Sequence, residues 1–249
     1  MEEIMSGSNL YSIENYAEGY PDGIQFHYWQ QARNQILVQV LGEIPGGPGR
    51  IFEIGCGRGF NIQYLRDHGL DCTGSELAPA PILPEVAAFA VSSQDVFELP
   101  ADRRAGIQTV LLLDVIEHIQ DAPGFLEKVR HAFPDLLNLI LMVPARSEIW
   151  SNHDEHYGHF RRYDLALLKQ NAEAAGFVEK SSGYLFRILY LAARILLKVQ
   201  KKRDVLIRAP SPAVRWLHSV IARILVLESR LLPGFLYGSS AIGIYRVKK

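Results

Sequence analysis

The spacing of apolar residues changes near residue 50. Between Gln25 and Leu41, Trp29, Ile36 and Val40 recur near helical spacing, which predicts an amphipathic helix. Pro45, Gly46, Gly47, Pro48 and Gly49 end it. Short apolar runs then alternate with helical stretches. The pattern predicts strands over 50–55, 70–74 and 87–91, with a short helix over 61–68 closed by Gly69. Runs 109–113 and 138–143 are apolar without alternation and predict strands buried on both faces, ended by Asp114 and Pro144. Helices are predicted over 123–133 and from the cap residue Asp164 to Ala175, where Gly176 is the stop. A sixth strand begins at Val178 and a last one covers 241–247. Pro79, Pro81 and Pro84 exclude a regular helix interior over 78–84. Residues 1–20 have no period and read as an arm or a cap.

Strands and helices alternating at this spacing imply an α/β fold: a doubly wound, mostly parallel sheet with right-handed crossovers. The 249 residues read as a single domain in four parts. These are an N-terminal arm and helical cap over 1–49, a core over 50–186, a helical insertion over 187–236 and the last strand over 237–249. Ligands of such sheets bind at the C-terminal strand ends. Four features fall there: the glycines Gly55, Gly57 and Gly59, then Glu76, Asp95 and Asp114. Alternating glycines after a buried strand let the backbone approach a bulky polar ligand, so a nucleotide-like cofactor is expected. Glu76, 19 residues beyond Gly57, suits the vicinal hydroxyls of a ribose. Asp95 and the N–H of Val96 suit an adenine, or Asp95 simply caps a helix.

Composition adds a charge asymmetry. The formal net charge is −1, yet residues 187–236 carry ten Lys or Arg against two acids, a local charge of +8. The pI near 6.7 argues against general nucleic-acid binding. Cys56 and Cys72 lack partners at metal or redox spacing and read as reduced thiols. The acidic, polar start of the chain is unlike a secretory signal, so a cytoplasmic protein is expected.

The segment Glu53-Ile54-Gly55-Cys56-Gly57-Arg58-Gly59, then Glu76, Asp95, and Leu113-Asp114-Val115-Ile116-Glu117-His118, resembles the S-adenosylmethionine-dependent methyltransferases of the seven-stranded Rossmann-like fold. It is most similar to the broad small-molecule group that includes the ubiquinone-pathway enzymes. Gly158-His159-Phe160-Arg161-Arg162-Tyr163 resembles the region after strand 5 of that group, and His27-Tyr28-Trp29 with Ala32-Arg33 its N-terminal helix. The resemblance implies S-adenosylmethionine as cofactor and S-adenosylhomocysteine as product. It places Gly55, Gly57 and Gly59 beside the methionine portion, Glu76 at the ribose, Asp95 at the adenine and Asp114 near the methionine amino group, with Glu53, Cys56, Leu77, Val96 and Val115 among the expected cofactor contacts. The spacing Gly-x-Gly-x-Gly departs from the dinucleotide pattern Gly-x-Gly-x-x-Gly. The proline-rich 78–84 replaces the helix expected after strand 2.

Methyl transfer from a sulfonium needs alignment, and an acceptor hydroxyl also needs a base. His118, His153, His156 and His159 are the candidates, histidine having an ordinary pKa near neutrality. The spacing of the three loop histidines also suits a metal, but no cysteine assists and the loop reads equally as a polar lid; no metal is expected. Trp29, Arg33, Tyr157, Arg161, Arg162 and Tyr163 are the expected contacts of a small-molecule acceptor. The expected activity is O-methylation in small-molecule biosynthesis; a cofactor-binding scaffold, or another reaction on the same fold, is the alternative.

Residues 187–197 and 213–232 are apolar, helical in period and striped with bases: Arg187, Arg194, Lys198, Arg215, Arg223 and Arg230. Neither offers about 18 uninterrupted apolar residues, the length of a transmembrane span. Three readings stand: a cap of helices packed on each other, a surface for anionic membrane or a lipid-linked acceptor, and an oligomer contact.

Overall fold

The structure is a computed structural model that describes residues 21–200 and 205–248. Its elements in chain order are α1 (Tyr28–Gly42), β1 (Arg50–Ile54), α2 (Phe60–Asp67), β2 (Cys72–Ser75), β3 (Ala90–Val91), α3 (Ala101–Arg104), β4 (Ile107–Leu113) and α4 (Ala122–Ala132). Then follow β5 (Asn138–Pro144), α5 (Asn152–His156), α6 (Leu165–Ala174), β6 (Phe177–Leu185), α7 (Arg187–Gln200), α8 (Arg215–Leu231) and β7 (Ser240–Val247). The seven strands form one sheet in the order β3-β2-β1-β4-β5-β7-β6. Pairing is parallel from β3 to β5, and β7 runs antiparallel to both β5 and β6. The expected Rossmann-like sheet is therefore present, with its order reversing between β1 and β4.

Strand side chains alternate between faces, and the central strands are apolar on both. Phe52, Val110, Leu112, Leu139 and Leu141 meet Leu126 and Val129 of α4 and Leu168 and Ala172 of α6. Ile51, Leu111, Leu113, Ile140 and Met142 meet Ile36, Leu37 and Leu41 of α1, Ile62 and Leu65 of α2, and Leu225 of α8. Two cores sandwich the sheet, and the strand order reverses between β1 and β4, so the crevice in which such sheets bind ligands is expected at their C-terminal ends.

Several expected boundaries move. Strand 3 shortens from the expected 87–91 to two residues, because Ala87, Ala88 and Phe89 continue the turn that begins with the 3-10 segment Pro84–Val86. No regular helix occupies 78–83, where Pro79 and Pro81 break one. Asp164 caps α6 through its Oδ1, which accepts from the Leu167 N–H at 2.7 Å. The insertion departs most from expectation. Instead of packing along each other, α8 lies against α1 and α7 against the 3-10 turn Ser147–Ile149. They meet at Glu228, whose carboxylate accepts from the backbone N–H groups of Arg187 (2.5 Å) and Ile188 (3.1 Å) and so caps α7. Arg187 thus leaves the exposed basic stripe: it is buried and bonded to Glu228 and the Pro233 carbonyl. Residues 1–20 and Lys201-Lys202-Arg203 lie outside the described residues.

Candidate active site

β1 delivers Glu53 and then breaks into the glycine turn. Gly55, Gly57 and Gly59 have φ of 76°, 55° and 89°. A Cβ on Gly55 would stand 2.7 Å from Val115 Cγ2, and one on Gly59 2.6 Å from Val86 Cγ2, so side chains are excluded sterically as well as conformationally. Glu76, at the end of β2, braces the turn. Its Oε2 accepts from the Gly57 N–H (2.9 Å) and its Oε1 from the Ala78 N–H (3.1 Å). A carboxylate has about four acceptor sites, so both oxygens retain capacity for a ligand.

Behind the turn lies a buried polar network that periodicity alone does not reveal. Gln30, Arg33 and Asn34 lie on the inner face of α1 and are buried. Arg33 pairs with Asp114, donates to Gln30 Oε1 and Asn61 Oδ1 (both 3.2 Å), and lies over the Trp29 ring at 4.4 Å. Asn61 Nδ2 donates to Glu53 Oε1 at 2.5 Å. Glu53 Oε2 is buried without a hydrogen-bond partner among the described residues. Burial raises the Glu53 pKa to about 7, the Asn61 bond and the Arg33 charge offsetting only part of it. Asp114 sits in the left-handed region at φ 57°, with its N–H bonded to the Met142 carbonyl at 2.8 Å. Burial raises its pKa too, against the pull of Arg33.

The remaining expected cofactor contacts are more varied. Asp95 Oδ1 accepts from the Phe97 N–H (2.9 Å) and caps the 3-10 turn Val96–Glu98, while the Val96 side chain enters the core. Leu77 is exposed. Cys56 is buried, and burial pushes its thiol pKa well up, so it stays a protonated thiol at neutral pH.

The histidine loop after β5 is organised by Asp154, a residue the motif reading missed. Its Oδ1 accepts from Arg162 Nε (2.7 Å) and His159 Nδ1 (2.9 Å), and its Oδ2 from the Ser151 N–H (2.9 Å). Burial pushes this acid up, but those hydrogen bonds and charges outweigh it and hold it below the usual carboxylate range. Three expected acceptor contacts are engaged by the protein itself. Arg162 is buried and also donates to the Ala145 carbonyl, Tyr163 is fully buried with its hydroxyl on the Ile116 carbonyl (3.1 Å), and Tyr157 donates to the Val205 carbonyl (3.0 Å). These are corrections: all three side chains hold the loop in place. Arg161 donates to the Gln120 carbonyl at 2.6 Å and stays half-exposed.

Of the four candidate bases, three gather. The His118 and His159 rings lie 4.8 Å apart and His153 lies 6.4 Å from His159, whereas His156 is exposed. Burial, then the charge of His159, lowers the His118 pKa to about 3, leaving it neutral and too weak a base for a proton transfer near pH 7. Beside them lies Glu117, fully buried in the 3-10 turn Ile116–His118 and likewise missed.

The geometry has counterparts among known proteins. The chain matches the family described as "Methyltransferase domain" over residues 26–179. No curated protein sequence matches it. Among solved structures it is similar to the Burkholderia thailandensis 1,6-didemethyltoxoflavin-N1-methyltransferase, which has 1,6-didemethyltoxoflavin and S-adenosylhomocysteine bound. That similarity has a TM-score of 0.55 at 17% identity, over 95% of this chain and 87% of that one. An Archaeoglobus fulgidus SAM-dependent methyltransferase gives 0.52 at 15% identity, over 87% and 92% of the two chains. A Synechocystis magnesium protoporphyrin IX methyltransferase with SAH bound gives 0.52 at 14%, over 94% and 90%. At these identities the structural likeness speaks for the fold, and the family match, over more than half of the sequence, decides the membership: this chain belongs to the methyltransferase domain family.

Proposed function

We propose that the chain transfers the methyl group of S-adenosylmethionine to an oxygen of a small or lipid-linked acceptor and releases S-adenosylhomocysteine. One observation carries the reading of the donor: the glycine turn, Glu53, Glu76 and Asp114 converge at the ends of β1, β2 and β4. Carboxylates around a glycine turn repel a pyrophosphate and attract a ligand with a cationic ammonium and no phosphate. The partnerless Glu53 Oε2 is the orphan such an ammonium would satisfy. Glu76 would take the ribose hydroxyls, Asp95 and the Val96 N–H the adenine, and Gly55 to Gly59 would flank the methionine portion. When bound, the cofactor supplies an activated methyl on a sulfonium, so the protein's share is alignment and removal of the acceptor proton. For that proton the reading turns to the loop histidines His153 and His159, with Trp29 at the acceptor end. Calorimetric titration with S-adenosylhomocysteine is the test. Binding that Glu76→Ala weakens by tenfold or more is expected, and no binding to the wild type overturns the reading.

A second observation supports delivery of the acceptor from an anionic membrane. Ile188, Leu191, Ile195 and Val199 form one exposed stripe on α7, and Trp216, Val220, Ile224, Leu227 and Leu231 another on α8. Among the described residues no helix is long and apolar enough to cross a membrane. The +8 charge of this segment disfavours a second copy of the same face and favours anionic lipid. Co-sedimentation with anionic vesicles, and little with neutral ones, is expected. Equal recovery with both, or a stable dimer that ignores vesicles, would count against it.

A further inference from the structure

Glu117 presents a problem that the methyl donor does not solve. Its carboxylate is fully buried, and among the described residues neither oxygen has a hydrogen-bond partner beyond the residue's own backbone. A buried carboxylate needs a compensating cation or a proton. What faces it is a pair of imidazoles: one ligand atom from each of Glu117, His118 and His159 can be chosen so that all three lie within 4.8 Å of one another.

Both imidazoles are held from behind. His159 uses Nδ1 on Asp154, which leaves Nε2 carrying the lone pair. Asp154 is itself fixed by Arg162 and the Ser151 N–H. A carboxylate behind a ligating histidine is the usual way to set the tautomer and ring orientation at a metal. The His118 ring hydrogen-bonds to the backbone of Gly158 and Tyr157. The two chain segments are joined by the Phe160 N–H, which donates to the Glu117 carbonyl at 2.8 Å. Asp114 and the guanidinium groups of Arg33 and Arg162 are the other charges near Glu117. Arg33 is committed to Asp114 and Arg162 to Asp154.

We propose that Glu117, His118 and His159 form a binding site for a divalent transition cation of the Zn²⁺ type, on the acceptor side of the crevice. Two imidazoles and one carboxylate are a borderline donor set that suits Zn²⁺ better than Mg²⁺, which prefers oxygens. Zinc bonds of about 2.0–2.1 Å place ligand atoms roughly 3.3 Å apart. Side-chain torsions therefore have to draw the cluster inward when the cation binds. Three protein ligands leave a coordination position for water or an acceptor oxygen. The loop pattern His153, His156, His159 is not the ligand set, since His156 is exposed and the cluster draws instead on the turn after β4. With a cation on His159, the base proposed above becomes His153. That assignment rests on the methyl-transfer reading; the cation site does not.

The test is zinc titration of the full chain by calorimetry, after chelator treatment and desalting, with S-adenosylhomocysteine binding measured in parallel. One equivalent of Zn²⁺ is expected to bind the wild type. Glu117→Gln and His159→Gln should each weaken it at least tenfold, Asp154→Asn less, and the surface variant His68→Gln not at all. Absence of stoichiometric zinc, or equal affinity in wild type and Glu117→Gln, overturns the site even where the cofactor binds normally. Should those variants fail to fold, X-ray absorption of the wild-type zinc adduct decides: two imidazoles and a carboxylate support the site, and any other donor set overturns it.

Discussion

The strand ends and the helical insertion are both incomplete as folded, in opposite senses. At the strand ends the unsatisfied groups are polar and buried, as in Glu53 and Glu117. On α7 and α8 they are apolar and exposed, with Ile195 at 65% and Leu231 at 70%. A buried polar group without a partner is costly, and it specifies its complement narrowly by charge and direction. An exposed apolar stripe is tolerated and specifies little beyond an apolar surface of suitable shape. The two regions differ in what they are suited to select: under the proposal above, the crevice suits a particular ligand and the insertion a kind of surface.

Damage is expected to be steep at the strand ends and shallow on the insertion. The largest effect is expected at Arg33, which joins α1 to β4 through Asp114 and to α2 through Asn61. Arg33→Met leaves Asp114 without its partner, and breaking a buried pair typically costs about 3–5 kcal/mol. Urea unfolding should show that loss, and Arg33→Lys should recover only part of it, because an ammonium cannot reproduce the planar fork. A loss near zero would mean that the network is not stabilising.

This pair also marks where the sequence stops being informative. The apolar runs at β4 and β5, the stop at Gly176 and the proline-rich break after β2 follow from local chemistry, and all were legible. So were Glu76 and Asp114, because strand ends converge in a parallel sheet. Which acid meets which base was not legible. Arg33 reaches a partner 81 positions away and Arg187 one 41 positions away, distances over which periodicity carries no information. Gln30, Arg33 and Asn34, polar at helical spacing in α1, were the available sign of a second, polar face. Arg162 and Tyr163 misled because a charged and an aromatic residue near a site read as ligand contacts, whereas burial gives them to the loop.

The next effect concerns Glu53 and its dependence on pH. Its folded pKa of about 7 stands above the ordinary 4.5. A raised carboxylate contributes stability below pH 4.5 that is lost as the pH rises through 7. Over that window the ligand-free protein should lose up to about 3 kcal/mol from this group, a shift that Glu53→Gln abolishes. Urea unfolding at pH 5 and pH 8 measures it. If the cofactor's ammonium meets Glu53, binding favours the ionised form, and S-adenosylhomocysteine affinity should rise between the same two values. Affinity that falls with pH would separate Glu53 from the ammonium.

The smallest effect on the fold is expected where the exposed apolar area is greatest. Ile195→Ser and Ile224→Ser remove side chains from the centres of the α7 and α8 stripes without touching either core. Surface changes of this kind shift stability by about 0.5 kcal/mol or less. Yet an anionic vesicle would lose two inserted side chains, each worth about 1.5–3 kcal/mol when fully buried. Vesicle partitioning should therefore fall tenfold or more in the double variant while its unfolding midpoint and cofactor affinity stay put. Substituting Arg223 instead should weaken binding only to charged lipid and only at low salt, because its contribution is screened. A double variant that unfolds as readily as Arg33→Met would show that the stripes pack against protein, and the contrast between the two regions would fail.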